Sequence, residues 1–449
     1  MAPARFPHPL TLLVGCLLVA AVLTHLLPAG RFERREDPVT RRAVVVAGTY
    51  APAEAAPVSP FQALVAIPRG MADAASVIFF VFLVGGAFAV VERTGALTRL
   101  VNWLVARLAG RGLAVIPVAG LAFGTGGVLI QMQEELIAFV PMLLLLTRRL
   151  GFNALTAVAM SLGASAVGAS FSFINPFQVG IAQKVAELDL LSGTWFRVAF
   201  LVPAWLIWIA GTMVFARRTR VAPEPAAPGF LTDEATAGWR QTAVLLAVLA
   251  GFVVFIVGVL RYGWDFDQLA AVFFVMGVAA GLLGGLRLTG TADGFVEGFR
   301  SMAFAALLIG FARGIYVVLE DGRVVDTIVQ GMFAPIAQLP STVAALGMML
   351  AHLAIHVPVP STSGQAVLTL PLLVPLSDLI GLSRQVTVLA YQYGAGMCDL
   401  LTPTNGALMA MLAAAGVRYE EWLRFALPVV GSLLALAALA IGVGVAAGI

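Results

Sequence analysis

Glu134, Glu135 and Asp399 stand in or beside segments apolar enough to lie within a bilayer. An acid at membrane depth is costly, so it is a functional candidate by default. Around these acids the apolar pattern breaks in four places: GTGGVLIQMQEE (Gly124 to Glu135), SFINP (Ser172 to Pro176), PVPSTSGQ (Pro358 to Gln365) and LTPTNG (Leu401 to Gly406). In each, Gly permits close backbone approach, Pro ends the hydrogen-bond ladder, and Ser, Thr, Asn or Gln offers neutral donors and acceptors. Such backbone is tolerated at membrane depth only where protein buries it or it lines a water-filled cavity. The chemistry is that of a binding site, with half-helix N-termini aimed at anionic groups and oxygens aimed at cations.

The candidate substrate-binding residues are Gln133, Glu134, Glu135, Ser172, Asn175, Pro176, Ser361, Thr362, Ser363, Gly364, Gln365, Thr402, Thr404 and Asn405. Candidates for a coupling ion, H+ or Na+, are Glu134, Glu135, Asp399, Asn175 and Asn405. No catalytic residue, no cofactor and no metal beyond Na+ is expected. The second tip, where Ser361, Thr362, Ser363 and the amides around Gly364 precede the apolar LTLPLLVPL, suits a carboxylate. The first tip is anionic. A dianionic ligand would be repelled by two ionised glutamates, so either at least one of them is protonated or cation-bound, or the ligand is zwitterionic or cationic.

The elements that position these residues are membrane helices. Hydrophobic residues make up 60% of the 449 and charged residues only 11%, with a mean hydropathy of +0.96. Soluble domains do not have this composition. The net charge of +3 comes from Arg in short connecting loops, so no nucleic-acid partner is read. Cys16 and Cys398 both lie in apolar runs and read as small hydrophobes. Spans are expected at Leu10 to Leu27, Ala72 to Val91, Phe152 to Ile174, Phe196 to Phe215, Gln241 to Leu260, Leu269 to Leu286, Met302 to Leu319, Gln385 to Thr402 and Phe425 to Val445, which makes nine crossings. Leu113 to Leu146 and Val343 to Ile380 carry Gly, Pro and polar residues at their centres and read as re-entrant hairpins. The polar stretch from Arg31 to Pro60, with AVVV at Ala43 to Val46, reads as a small extramembrane hairpin.

Sliding the second half over the first reveals a repeat. Pro141 and Pro371, Gly151 and Gly381, and Asn175 and Asn405 share one register, since 371−141, 381−151 and 405−175 all equal 230. With small gaps, Arg69 and Met71 match Arg300 and Met302, and Trp195 and Arg197 match Trp422 and Arg424. Five crossings separate the helix near Ala72 from its equivalent near Met302, and an odd number inverts the second repeat. The expected fold is therefore an all-α polytopic membrane protein of two inverted repeats, each with a re-entrant hairpin and a discontinuous transmembrane helix. Residues 1–60 form an N-terminal helix and external loop, 61–216 the first repeat, 217–240 a cytoplasmic linker, and 241–449 the second repeat with its preceding helices.

Charge sets the sidedness. Arg93, Arg99, Arg107 and Arg111 follow the first of the two equivalent helices, whereas Glu320, Asp321, Arg323 and Asp326 follow the second. The first arm is then cytoplasmic and the second external, with Arg148, Arg149, Arg217, Arg218 and Arg220 inside and the N-terminus cytoplasmic. The Arg-rich loop from Arg31 lies outside and is the exception to the rule; Glu33, Glu36, Asp37 and Glu54 moderate the conflict.

The motifs QEELIAFVP (Gln133 to Pro141), NPFQVGIAQ (Asn175 to Gln183), PSTSGQAVLTLP (Pro360 to Pro371) and the stretch from Tyr391 to Met411 resemble the YfcC-like proteins of the C4-dicarboxylate anaerobic carrier group, in the ion transporter superfamily. HPL at His8 to Leu10 and LPAG at Leu27 to Gly30 extend the match over nearly the whole chain. The resemblance implies an elevator-type inner-membrane carrier, a homodimer in membrane lipid, whose paired tips and broken helices hold a small-molecule substrate and coupling ions. Ala395 in YGAGMCD stands where relatives are expected to have an acid, and Asp399 lies one helical turn further on.

Each residue also has a purely structural reading. Gly124, Gly126 and Gly127 would let helices pack closely. Ser361, Thr362 and Ser363 would cap a helix, and Asn175 and Asn405 would bridge helices. His352 and His356 read as hydrogen-bonded packing residues, and Arg313 as half of a structural ion pair. Three classes of function compete. A secondary transporter of a small organic anion such as a C4-dicarboxylate, coupled to H+ or Na+ or working by exchange, explains the repeat, the paired breaks and the sparse acids; an amino-acid carrier is the alternative. A channel would want a continuous polar pore. An intramembrane hydrolase would have to use STSG (Ser361 to Gly364) near His352, where Ser361 occupies a position such a motif gives to Gly.

Overall fold

The computed structural model describes residues 8–36, 43–97, 99–100, 103, 111–224, 239–264 and 266–449. Arg107 and Asp37, part of the charge reading above, and residues 225–238 of the linker lie outside the described residues.

The chain is all-α apart from two tiny sheets. Helix α1 (Pro9–Leu26) begins on a proline, whose missing N–H costs nothing in the first turn. The expected hairpin follows as two antiparallel pairs, Gly30–Arg31 with Ala51–Pro52 and Arg34–Glu36 with Ala43–Val45. Helix α2 (Pro60–Asp73) opens with a capping box between Ser59 and Gln62, and it yields at Ala74 to α3 (Ala75–Arg93). Helix α4 (Val115–Ile130) ends where Gln131 turns left-handed at φ 54°. A 3-10 turn (Glu134–Phe139) leads into α5 (Val140–Arg149). Helix α6 (Ala154–Ser170) contains a π turn at Ala159–Gly163, and a π turn at Pro176–Gly180 leads into the short α7 (Ile181–Val185).

Four long helices follow: α8 (Thr194–Arg218), α9 (Trp239–Tyr262), α10 (Phe266–Leu283) and α11 (Arg287–Asp321). Helix α12 (Val325–Phe333) precedes a second interrupted pair, α13 (Ser341–His356) and α14 (Thr362–Leu379). Helices α15 (Arg384–Cys398), α16 (Gly406–Ala415) and α17 (Tyr419–Ala447) complete the chain. Both interruptions expected in the hairpins, at 131–133 and 357–361, are breaks between helices, as are the expected interruptions at 171–175 and 399–405.

Among the described residues seven helices are long and apolar enough to cross a membrane. They include six of the nine expected spans. The seventh is Gly112–Ile130, which the sequence reading assigned to a hairpin arm. The three other expected spans are shorter apolar helices or, for Arg384–Cys398, a 15-residue helix. Two of them, α6 and α15, are short because they stop at the breaks: α6 ends at Ser170, where Phe171 departs from helical backbone (φ −108°), and α15 ends at Cys398.

Helix α11 is the axis of the packing. Its 35 residues would run roughly 52 Å, well beyond a bilayer core of about 30 Å. It lies antiparallel to α2 and α3, with Arg93 of α3 paired to Glu297 at one end and Arg69 of α2 paired to Asp321 at the other. The small sheets dock on the same end as Asp321, where Asp326 accepts from the Phe32 amide at 2.9 Å and from Arg34 at 2.7 Å, and Tyr50 Oη meets Thr327 Oγ1 at 2.9 Å. At the opposite end, the Val221 amide donates to Gly151 O at 3.1 Å and the Glu224 amide to Arg148 O at 3.0 Å. The Arg148 and Arg217 to Arg220 clusters therefore share a face. Every residue of α15 from Val386 to Cys398 is buried, so this helix forms the centre of the other half. Cys398 is buried, Cys16 partly so, and both are free thiols.

Candidate functional site

The four breaks stabilise one another. A helix that stops inside the protein leaves carbonyls without partners, and each hairpin's first helix has one satisfied by a side chain from a broken helix. Asn175 Nδ2 donates to Gly127 O at 3.0 Å, and Ser172 Oγ donates to Val128 O at 2.7 Å. In the other half Thr404 Oγ1 donates to Val357 O at 2.6 Å. The acceptors Gly127 and Val357 are 357−127 = 230 residues apart, the register of the sequence repeat. Both asparagines also cap helices: Asn175 Oδ1 accepts from the amides of Phe177 and Gln178, and Asn405 Oδ1 from that of Leu408. Gly127 is required for the close approach, since a Cβ there would lie 1.9 Å from Ser165 O.

Between the two tips and α11 lies a cavity of about 380 Å³. Gln131, Gln133, Glu134 and Glu135 line it from the first tip; Ser361, Thr362 and Ser363 from the second; Asp399, Thr404 and Asn405 from the break after α15. Asp73 and Arg313 contribute an ion pair, and Phe177, Phe255, Phe266 and Ile309 supply apolar wall. The structure thus brings together Gln133, Glu134, Glu135, Ser361, Thr362, Ser363, Asp399, Thr404 and Asn405 from the residues expected. It sets Ser172, Asn175, Pro176, Gly364, Gln365 and Thr402 off this wall. Asn175 is fully buried behind Gly127, so the two matched asparagines do not face the cavity alike.

The polar groups on the wall differ in how far they are already engaged. Ser361 Oγ accepts from the Gly364 amide at 3.2 Å, and Thr362 exchanges hydrogen bonds with the Gln131 amide at 2.9 Å across the two tips. Ser363 makes no hydrogen bond among the described residues. Asp399 accepts from Gln133 Nε2 at 3.1 Å, Asn405 Nδ2 at 2.8 Å and His356 Nε2 at 2.8 Å. Glu135 is buried, and its Oε2 has no hydrogen-bond partner. No basic side chain pairs with Glu134 or Glu135 among the described residues, because Arg313 is taken up by Asp73. Gln131 on the wall and His356 behind it, bonded to Asp399, are polar residues that the sequence reading left out of the site, as it left out the lining pair Asp73 and Arg313. Gln131 lay inside the motif that flagged the tip, whereas His356 was read as packing because it closes an apolar helix.

A bundle of bilayer-crossing helices, interrupted at four places around a polar cavity lined by sparse acids, is the architecture of a helical membrane transporter. The chain belongs to the DcuC family, the C4-dicarboxylate anaerobic carriers, whose pattern it matches over residues 6–446. It is 34% identical over 403 residues to an Escherichia coli (strain K12) protein named "Putative basic amino acid antiporter YfcC", covering 85% of this chain and 79% of that one. It is 26% identical over 484 aligned positions to an uncharacterized Haemophilus influenzae protein, covering 96% and 95%. The crystal structure of the Alcanivorax borkumensis YdaH transporter aligns over 98% of this chain and 99% of its own at 16% identity, with a TM-score of 0.47. A score of that size does not define a common fold.

Proposed function

We propose that the cavity carries a small amino acid-like cargo whose cationic group sits against Glu134 and Glu135 and whose carboxylate meets Ser363 at the second tip. One observation carries this reading: Glu135 presents a buried carboxylate oxygen with no protein partner to a cavity whose single arginine is already neutralised. A buried ionised carboxylate with no counter-charge costs several kcal/mol, and an ammonium or guanidinium from the cargo offsets it. A dianion would add to the cost. This favours the amino-acid alternative over the C4-dicarboxylate expectation; the name of the Escherichia coli relative, "Putative basic amino acid antiporter YfcC", supports the former and the family's description the latter.

The mechanism that fits is alternating access by an elevator-type movement of the tips and broken helices, in an inner-membrane homodimer with a cytoplasmic N-terminus. The two halves, residues 61–216 and 241–449, are the inverted repeats of that carrier; the matched carbonyl caps at Gly127 and Val357 support the pairing. Counterflow separates the cargoes. Proteoliposomes loaded with unlabelled L-arginine should accumulate labelled L-arginine, with competition by L-lysine and none by succinate, and Glu135→Gln should lower the apparent affinity at least tenfold. Succinate counterflow that L-arginine does not compete would overturn the reading.

A further inference from the structure

Behind the cavity wall, His356 is fully buried and holds two hydrogen bonds, one from each ring nitrogen. Nδ1 lies 2.8 Å from Gln365 Oε1 and Nε2 lies 2.8 Å from Asp399 Oδ1. The orientation of the Gln365 amide is fixed independently, because its nitrogen donates to the backbone carbonyl of His352 at 2.9 Å, a group that can only accept. Its oxygen therefore faces His356, and Nδ1 must carry a hydrogen. Nε2 faces a carboxylate, so the contact is filled only if one further proton lies between Nε2 and Oδ1, as imidazolium with carboxylate or imidazole with carboxylic acid. Without that proton two lone pairs face each other in a buried site. The unit thus has a loaded and an unloaded state that differ by one proton, and Asp399 connects it to the cavity.

The surroundings bias the two states against one another. Glu134 and Glu135 lie on the tip beside Asp399, His352 sits one turn back on α13 and accepts from Gln365, and the Cys398 thiol adjoins Asp399 on α15. Arg313 on α11 lines the same cavity but is paired with Asp73. A cation entering among these carboxylates is repelled by the proton on the pair and attracted by the carboxylate that its departure leaves.

We infer that His356 and Asp399 form a proton-binding site, and that a cationic cargo in the cavity displaces its proton to the cavity water, so that the carrier exchanges cargo for H+. This rests on the cationic-cargo reading above. H+ is the coupling ion in preference to Na+ because the three side chains around Asp399 present N–H donors to its oxygens, whereas a hard cation needs a cage of oxygen ligands.

Calorimetry in two buffers of different ionisation enthalpy counts protons released when L-arginine binds to the purified full-length protein. The wild type should release about one proton, and its Kd should fall about tenfold per pH unit where the pair is loaded. His356→Gln should release none and lose the pH dependence of its Kd. Binding by the wild type without proton release, or release that survives in His356→Gln, would overturn the inference. Failure of the wild type to bind L-arginine or L-lysine would sink the cargo reading and the exchange with it. The proton site is read separately from the 15N resonances of histidine-labelled, cargo-free wild type: the Nε2 signal of His356 should move with pH while Nδ1 stays protonated, and an Nε2 signal fixed across the pH range in which the protein is folded would refute the site even if the variant does not fold.

Discussion

Three neighbouring hydroxyls at the second tip have three different occupations, which a reading of STSG as one polar cluster could not separate. Ser361 caps α14 through the Gly364 amide, Thr362 ties the tip to Gln131, and Ser363 faces the cavity with its hydroxyl uncommitted. Loss of an N-cap costs about 1 kcal/mol of stability, while loss of an uncommitted hydroxyl costs the fold little. Ser361→Ala should therefore lower the Tm with affinity for L-arginine nearly unchanged, and Ser363→Ala should weaken binding severalfold with Tm unchanged. Differential scanning fluorimetry and binding on the same samples test this, and the opposite pattern would place the cargo carboxylate on Ser361. The acids Glu134, Glu135 and Asp399 were legible in the sequence because charge at membrane depth needs a reason. His356 was not, because an imidazole next to an apolar run looks the same whether its partner is a core carbonyl or an acid 43 residues away.

Helix breaks and small residues belong together at the scale of elements. Helix α4 can stop within the protein only because α6 approaches closely enough for Asn175 and Ser172 to reach its last carbonyls. That approach is set by Gly127 against Ser165 and by Gly168 against Gly124 O, where a Cβ would lie 2.1 Å away. Backbone cannot yield as a flexible side chain can, so Gly127→Ala should cost roughly 3 kcal/mol or more and open the first tip. The expected readout is a Tm drop together with new reactivity of a cysteine placed at Ser172 toward a water-soluble thiol reagent, in a background lacking Cys16 and Cys398. An unchanged Tm and a protected Ser172→Cys would show that α4 and α6 absorb the methyl without separating, and that Gly127 is not needed for the break. The structural reading of the glycines and the functional reading of the breaks are thus the same fact, since close packing is what makes the breaks tolerable.

Across the whole molecule, the Arg-rich loop after α1 docks on the acidic end of α11, which offsets part of its charge. Arg34 is neutralised by Asp326, and Arg323 donates to Glu54 O at 3.2 Å, so the loop and the acidic end of α11 form one polar cap. The loop at 148–151 and residues 217–224 form another, arginine-rich face, which the positive-inside rule predicts to be cytoplasmic. Single cysteines in the cysteine-free background test the assignment: Thr49→Cys should react with an impermeant thiol reagent in intact cells, and Arg220→Cys only after permeabilisation. The reverse pattern would invert the protein in the membrane.

By itself the sequence determined the all-α membrane class, the four breaks and the acids near them, because each follows from local composition. An apolar run of bilayer length, a proline or glycine inside it, and a carboxylate in hydrocarbon are costs that can be read one residue at a time. Only the tertiary structure decided which of those residues share a cavity. Asn175 and Asn405 occupy matched positions in the repeat, yet one is spent on Gly127 behind the wall and the other stands on it, beside Asp399 and Gln133. The physical reason is that a hydrogen bond depends on three-dimensional direction. Gln365, His356 and Asp399 come from three separate helices, and their common line is fixed by how α13, α14 and α15 pack, which the order of residues along the chain does not record.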